Sequence, residues 1–455
     1  MIKNSFKNRV SELKLLNELY ESNTSKLIIL YGRRRVGKTE LLKEFLGTHK
    51  GLYILGRQES EFDQIKKISS QIAEFYNDDV LIKNPFTNWD ALFLYLSKKP
   101  RIPIVFDEFP YLVISSNKVV SILQEYWDNY FSKNKAFIIL CGSSINMMEK
   151  LLGRKSPIYG RRTEQILLEP MKFRDALLFF PKGSEIKDKV INYSVLGGMP
   201  AYLLEFDFSM CLRENILKNI LQKNKFLYQD ILFSLREELK EPRNYFSILY
   251  SLAKGNTRIG HIVNDTGLDK SFVVKYLSVL RDLQLIERKV PITEKNIERS
   301  RKGIYTLRDN FLKFWFRFVF ENQEYVEQGK QERLIDEKIM PELNSFTGRV
   351  FEDVVLSELI SRKEYESYIF GKWWDENSEI DIVGLDKSNK KILIGEVKFK
   401  RLNEKEISEI KRSLKDVAVK INTFGFKEEF IIVCINSEVE SEEIKVLKFF
   451  ELVKT

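Results

Sequence analysis

The stretch YGRRRVGKT, Tyr31 to Thr39, places two glycines five residues apart and closes on Gly-Lys-Thr. Before it lies the apolar run KLIIL (26–30), of strand type. After it ELLKEFL (40–46) repeats its apolar residues at helical spacing. Strand, glycine loop and helix in that order form the setting a phosphate-binding loop requires. Gly32 and Gly37 permit backbone geometry that turns amides inward onto phosphate oxygens. Arg33, Arg34, Arg35, Val36 and Glu40 complete the loop and its exit. The helix beyond presents its positive end to the same anion. Lys38 is expected to reach the β- and γ-phosphates of ATP, and Thr39 to offer a hydroxyl to Mg²⁺.

A second apolar run, IPIVFDEF (102–109), ends in two carboxylates. Continuous apolar runs mark strands of parallel sheets, and open α/β sheets bind ligands at the C-terminal ends of such strands. Asp107 is expected to hold Mg²⁺ through water. Glu108 is expected to orient and polarise the attacking water. A third strand, AFIILCGSS (136–144), ends in Ser143 and Ser144, which either sense the γ-phosphate or cap the helix that follows. In YGRRTEQILLEP (159–170), Arg161 and Arg162 stand just before a further strand. Either arginine is placed to stabilise transition-state charge, in cis or from a neighbouring subunit; the alternative is a surface pair bonding a sheet edge.

The order of P-loop, GLYIL strand, DE strand, CGSS strand and GRR resembles the AAA+/STAND-type P-loop ATPases. More narrowly it resembles the archaeal-type ATPase family. FKNRVSELKLL (6–16) is similar to that family's N-terminal signature, and the resemblance implies that Phe6, Asn8 and Arg9 lie near the base or ribose. LGGMPAYL (196–203) is similar to the Gly-x-Pro element of its helical lid and implies Pro200 against adenine. The family also implies a winged helix and a C-terminal nuclease-like domain.

Further on, RNYFSILYSLAKG (243–255), RIGHIVNDTGL (258–268) and DKSFVVKYLSVLRDLQLI (269–286) read as three helices, with Asp269 and Ser271 as candidate caps of the third. ERKVPITEKNIERSRKGIYTL reads as a two-stranded wing. Between Glu287 and Lys302 six basic residues stand against three acidic ones. A winged helix with Lys270, Ser271 and Lys275 near a DNA groove is one reading. The other is a winged helix that regulates the ATPase or dimerises. FLKFWFRFVF reads as a buried helix, and QEYVEQGKQERLIDEKI (323–339) as a charged connector.

The last region orders a helix TGRVFEDVVLSELI (347–360) with Glu352, a strand SEIDIVGL (378–385) with Asp381, and a strand KILIGEVKFK (391–400) with Glu396 and Lys398. A charged helix and the strand FIIVCI follow. This order resembles the core of the PD-(D/E)xK nuclease fold. Glu396 and Lys398 are two apart on a strand and so share a face, with Asp381 on the partner strand. Glu352, Asp381 and Glu396 are expected to hold Mg²⁺ or Mn²⁺, and Lys398 to stabilise charge or orient water.

The chain has 455 residues, which exceeds one core, and its boundaries are expected at 1–170 (P-loop ATPase), 171–240 (helical lid), 241–322 (winged helix) and 323–455 (restriction-endonuclease-like α/β domain). Net charge is +9, yet residues 341–455 carry 19 Lys and Arg against 23 Asp and Glu. The basic excess therefore lies upstream, where a DNA partner is expected. Three cysteines without a CxxC pair and two histidines exclude a zinc-finger framework and fit a reducing cytoplasm. No apolar run reaches the roughly 18 residues of a membrane span. A homo-oligomer is compatible with an arginine supplied from a neighbour. The combined expectation is an ATPase whose nucleotide state controls DNA binding or metal-dependent cleavage. The competing expectation is a signalling or scaffold ATPase whose last domain only binds a partner.

Overall fold

The computed structural model describes residues 6–239, 241–421, 425–439, 441 and 443–453. It divides into two compact units, Met1–Pro170 and Met171–Thr455.

The first unit is built on five parallel strands: β1 (Lys26–Tyr31), β2 (Leu52–Leu55), β3 (Pro103–Asp107), β4 (Phe137–Gly142) and β5 (Glu164–Leu167), in the spatial order β2-β3-β4-β1-β5. Every residue of β3 and β4 is buried, as is β1 from Leu27 onward. Strands covered on both faces have no solvated side to make polar, which is why their sequences are unbroken apolar runs. Phe93, Phe106 and Phe131 pack edge to face with ring centroids about 6 Å apart, and Trp89 stacks on Phe93. These rings sit with Ile54, Leu92 and Leu140 in a single core.

The second unit begins with short helices, among them Ile186–Leu196 and Pro200–Leu203. Helices Pro242–Lys254, Ile259–Thr266 and Lys270–Asp282 follow. Next comes an antiparallel hairpin of β6 (Ile286–Lys289) and β7 (Ile304–Leu307). Gly255 ends the first of these helices at φ 104°, a left-handed conformation that glycine adopts without a Cβ penalty. Asp269 stands at the N-cap of the third, but its side chain makes no capping hydrogen bond. The aromatic run 310–320 is helical, and Phe311, Phe314, Trp315, Phe316 and Phe318 are all buried.

The charged stretch 323–339 is not a connector. It forms helices Gln323–Glu327, Gln331–Leu334 and Ile335–Ile339, and these lead directly into Met340–Ile360. Val326, Leu334, Ile335 and Ile339 bury one stripe while the many charges stay outside. That stripe was masked in the sequence by the charges of its solvent face.

The last sheet comprises β8 (Ile369–Trp374), β9 (Glu379–Asp386), β10 (Lys391–Leu402), β11 (Lys427–Ser437) and β12 (Lys445–Lys448), ordered β12-β11-β10-β9-β8. β8, β9 and β10 pair antiparallel; β10, β11 and β12 pair parallel. The crossover from β10 to β11 is the helix Glu404–Ala418. Asn403 and Glu406 close a reciprocal capping box at its start.

One ion pair in this unit carries a measurable consequence. Arg174 Nε and Nη2 both donate to Glu358 Oε2, at 3.0 and 2.8 Å, and Glu358 is 2% exposed. Burial lifts the Glu358 carboxyl above its ordinary range even with the guanidinium opposing. Removing one partner of a fully buried pair costs about 3–5 kcal/mol, and the 36% exposure of Arg174 brings the cost here below that range. A group whose folded pKa is raised contributes most below its unfolded value, and that contribution is lost as pH rises through the folded value. Arg174→Met is therefore expected to destabilise strongly at pH 8 and far less at pH 4, where Glu358 takes up a proton. Urea unfolding at the two pH values tests this, and an equal loss at both contradicts it.

Candidate functional site

The loop between β1 and helix Lys38–Thr48 is shaped by its glycines. A Cβ on Gly32 would lie 2.3 Å from the carbonyl oxygen of Leu168, so only glycine fits there. Gly37 precedes the helix at φ 97°. Gly32→Ala must push two backbone segments apart, and overpacking of this kind costs about 1–3 kcal/mol. It is expected to lower the melting temperature of the first unit and to weaken nucleotide binding, read by differential scanning calorimetry with and without ATP.

Lys38 is buried, and its Nζ donates to the carbonyls of Gly32 at 2.8 Å and Arg33 at 3.0 Å. Burial pulls its ammonium below the ordinary lysine range, against the attraction of Glu108 and Asp107. Thr39 Oγ1 donates to Asp107 Oδ2 at 2.9 Å, which joins the loop of β1 to the end of β3. Asp107, 1% exposed, also accepts from the Tyr53 hydroxyl at 2.6 Å. Tyr53 is a participant the sequence reading did not name. Its hydroxyl is pushed far up by burial and by that carboxylate. A tyrosine at the centre of GLYIL was the available signal.

Glu108 has left-handed backbone angles, φ 50° and ψ 42°. A non-glycine residue held there costs of order 1–3 kcal/mol, and such strain gathers at functional sites. Its carboxylate accepts from Ser143 Oγ at 2.7 Å and from the Ser143 amide at 3.4 Å. Ser143, at the end of β4, is thus bonded to the acid; Ser144 holds the N-cap position of helix Ile145–Leu152 without a side-chain cap bond.

The remaining first-unit candidates are placed as follows. Arg9 is buried, donating Nη2 to the carbonyls of Val36 at 2.9 Å and Glu169 at 2.7 Å and Nη1 to Glu12 at 2.9 Å. It and Asn8 both have φ 63°. Phe6 and Asn8 are half-buried. Arg34 reaches the Tyr111 hydroxyl at 3.1 Å, Arg35 has φ 69°, and Glu40 pairs with Lys43 on the surface at 2.9 Å. Arg161 grips Asp128 at 2.9 Å, and Arg162 donates to the carbonyl of Leu152 at 2.5 Å. Both arginines are engaged within the first unit. Pro200 opens a short helix in the second unit.

The second unit carries a separate acidic cluster. Glu352, on helix Met340–Ile360, and Asp381, on β9, are brought together there, and Glu379, two residues before Asp381, joins them. One oxygen from each lies within 4.8 Å of the others. Period-two spacing puts Glu379 and Asp381 on one face of β9, and this was the signal for Glu379 that went unread. Lys372 Nζ pairs with Glu352 Oε2 at 2.5 Å, and the Val397 amide donates to Asp381 Oδ2 at 2.9 Å. Burial pushes the Glu352 carboxyl up to about 7 and the Asp381 carboxyl up to about 6, the latter also raised by Glu396. Lys398 Nζ pairs with Glu396 Oε1 at 2.5 Å. The two strand neighbours thus share a face, and Glu396 is drawn to the lysine.

A strand-loop-helix with Lys38 and Thr39 at the helix start, bonded to Asp107 at the end of a neighbouring parallel strand, defines a P-loop ATPase. The comparisons agree. A model of the ATPase domain predominantly from Archaea matches residues 6–206, and one of archaeal and bacterial proteins of unknown function matches residues 315–410. An uncharacterised protein of Methanocaldococcus jannaschii is 33% identical over 98% of this chain and 99% of its own. The chain belongs to this archaeal-type ATPase family and is an ATP hydrolase. A Walker-type ATPase of Pyrococcus abyssi shares the fold, with TM-score 0.50 and 21% identity, over 69% of this chain and 97% of that one. The ORC2 protein of Aeropyrum pernix aligns with TM-score 0.45 and 13% identity over 72% of this chain and 97% of its own. Among the described residues no helix is long and apolar enough to cross a membrane.

Proposed function

We propose that ATP binding and hydrolysis in the first unit control metal-dependent cleavage of DNA by the last domain. The observation that carries the second half is the Glu352–Glu379–Asp381 cluster, with Asp381 buried, Glu352 half-buried and Glu379 exposed, and with Lys372 and Lys398 beside it.

In the first unit, Lys38 would leave the Gly32 and Arg33 carbonyls to meet the β- and γ-phosphates. Gly32 to Glu40 would wrap the phosphates, Phe6, Asn8 and Arg9 would support the nucleoside, and Pro200 would contact adenine. The Thr39 hydroxyl and the buried Asp107 carboxylate form an all-oxygen set that fits Mg²⁺. Glu108, fixed by Ser143, would take a proton from the attacking water. Arg161 or Arg162 would stabilise developing charge, in a homo-oligomer or in cis.

In the second unit, helices 242–282 with the β6–β7 hairpin have the element order of a winged helix. Lys270, Ser271 and Lys275 are exposed on its third helix, available to DNA phosphates. The β8–β12 sheet with its flanking helices follows the restriction-endonuclease-like order. Glu352, Asp381, Glu379 and Glu396 offer hard oxygens suited to Mg²⁺ or Mn²⁺. Burial first, and then the neighbouring carboxylates, raise the Glu352 and Asp381 carboxyls against the opposing pull of Lys372. When bound, such a cation supplies a hydroxide nucleophile and shields the phosphate. Lys398 would hold the leaving or attacking oxygen.

Cleavage of linear and single-stranded DNA with Mg²⁺ or Mn²⁺, with and without ATP, tests the proposal. Asp381→Asn should abolish cutting. Cutting that persists in Asp381→Asn, or no cutting under any condition, contradicts it. The second reading, a switch ATPase whose later domains bind a protein, is favoured by Phe272 and Val274, which are 50% and 45% exposed on the third helix. It gains if cutting is absent.

A further inference from the structure

The donors that meet the Asp107 carboxylate are not equivalent. Oδ1 accepts from the Glu108 amide at 2.9 Å. Oδ2 accepts from Thr39 Oγ1 at 2.9 Å and from the Tyr53 hydroxyl at 2.6 Å. Thr39 is itself expected to be a ligand of Mg²⁺, so its bond to Asp107 changes with the ion and does not fix the acid in advance. The Glu108 amide pins Oδ1 alone. The second torsion of an aspartate is broad and roughly two-fold, so one pinned oxygen leaves the carboxylate plane free to turn. Tyr53 pins the other oxygen, and it does so from β2, a strand that contributes no residue to the phosphate-binding loop.

The fold gives Tyr53 that reach. β2 runs parallel to β3, with Tyr53 opposite Val105 and Leu55 opposite Asp107. Asp107 therefore lies two residues further along the neighbouring strand, about 7 Å at the usual rise. Val105 and Asp107 share a face, and the long phenol spans the diagonal. A serine or threonine at position 53 would fall short.

The chemistry of the side chain also suits the task. A phenol is neutral at physiological pH and donates one hydrogen bond. A lysine in its place would neutralise the carboxylate and weaken its pull on a cation. The phenol orients the acid and leaves its charge in place. Asp107 is 1% exposed, so bulk water does not supply a substitute donor.

We infer that Tyr53 is a positioning residue for ATP hydrolysis, its hydroxyl holding Asp107 in the orientation that receives Mg²⁺. This rests on the assignment of Mg²⁺ to Thr39 and Asp107. Groups that orient a metal-holding side chain are typically worth about 10–100-fold in metal affinity or activity.

Tyr53→Phe keeps the ring and removes only the hydroxyl. Mn²⁺ is titrated onto the full chain loaded with a non-hydrolysable ATP analogue, and the free ion is read by electron paramagnetic resonance. Affinity for a fluorescent ATP analogue is measured in EDTA, and hydrolysis is followed as Mg²⁺ is varied. In the variant, Mn²⁺ affinity is expected to fall by about tenfold or more, and the Mg²⁺ needed for half-maximal hydrolysis to rise with it. Nucleotide affinity in EDTA should be unchanged. Unchanged Mn²⁺ affinity overturns the inference. A comparable fall in nucleotide affinity in EDTA also overturns it, because Tyr53 would then serve the fold rather than the ion. The assignment of the ion is judged on the unmodified chain. If that chain takes up no Mn²⁺ with nucleotide and hydrolyses ATP without Mg²⁺, the assignment falls and the inference with it.

Discussion

Lys38→Ala is expected to reduce ATP hydrolysis by at least about a hundredfold while leaving the first unit folded. Removing one preorganised charge-stabilising donor from an active site typically costs about 10²–10³ in rate. Lys38 is a strong case because its ammonium is already desolvated, its basicity lowered by burial, and it is held at the loop by two carbonyls. It therefore meets a phosphate without first losing a full hydration shell. The fold should survive because Lys38 starts a helix whose anchorage comes from Leu41, Leu42 and Phe45. Steady-state phosphate release, read beside circular dichroism, checks both halves. Full activity in the variant removes Lys38 from the reaction. A collapsed spectrum would show that the two carbonyl bonds hold the loop.

Glu108→Gln is expected to slow hydrolysis by about 10²–10⁴, the usual worth of a positioned general base, with ATP still bound. The amide keeps the shape and can still accept from Ser143 Oγ, so geometry is preserved and only the proton acceptor is lost. The strained backbone at φ 50° remains in the variant, so the test isolates chemistry from strain. Binding of a fluorescent ATP analogue together with single-turnover hydrolysis separates the two steps. Loss of binding equal to the loss of turnover would make Glu108 a structural residue. A matching Ser143→Ala change frees the carboxylate and should give a smaller loss of the same kind.

The sequence by itself determined the elements whose side chains are spaced by local rules. The P-loop was legible because turn, strand and helix chemistry meet within nine residues, Tyr31 to Thr39. The strands IPIVFDEF and AFIILCGSS were legible because burial on both faces leaves unbroken apolar runs. The order of Glu352, Asp381, Glu396 and Lys398 was also visible, because strand period places the last two on one face.

Tertiary structure decided what depends on distant segments meeting. The bond from Tyr53 to Asp107 arises because β2 and β3 are neighbours in space, which no local pattern states. The bond from Ser143 to Glu108 depends in the same way on β4 lying next to β3. The helices of 323–339 were hidden because charge on a solvent face says nothing about the stripe beneath. Glu352 meets Glu379 and Asp381 only because helix Met340–Ile360 packs on the sheet that carries β9, and the loop of the β6–β7 hairpin reaches β8 through the Ile292 amide on the Lys372 carbonyl. Residue chemistry is written in the chain, but the pairing of acids with cations is set by packing, where contacts span tens to hundreds of residues.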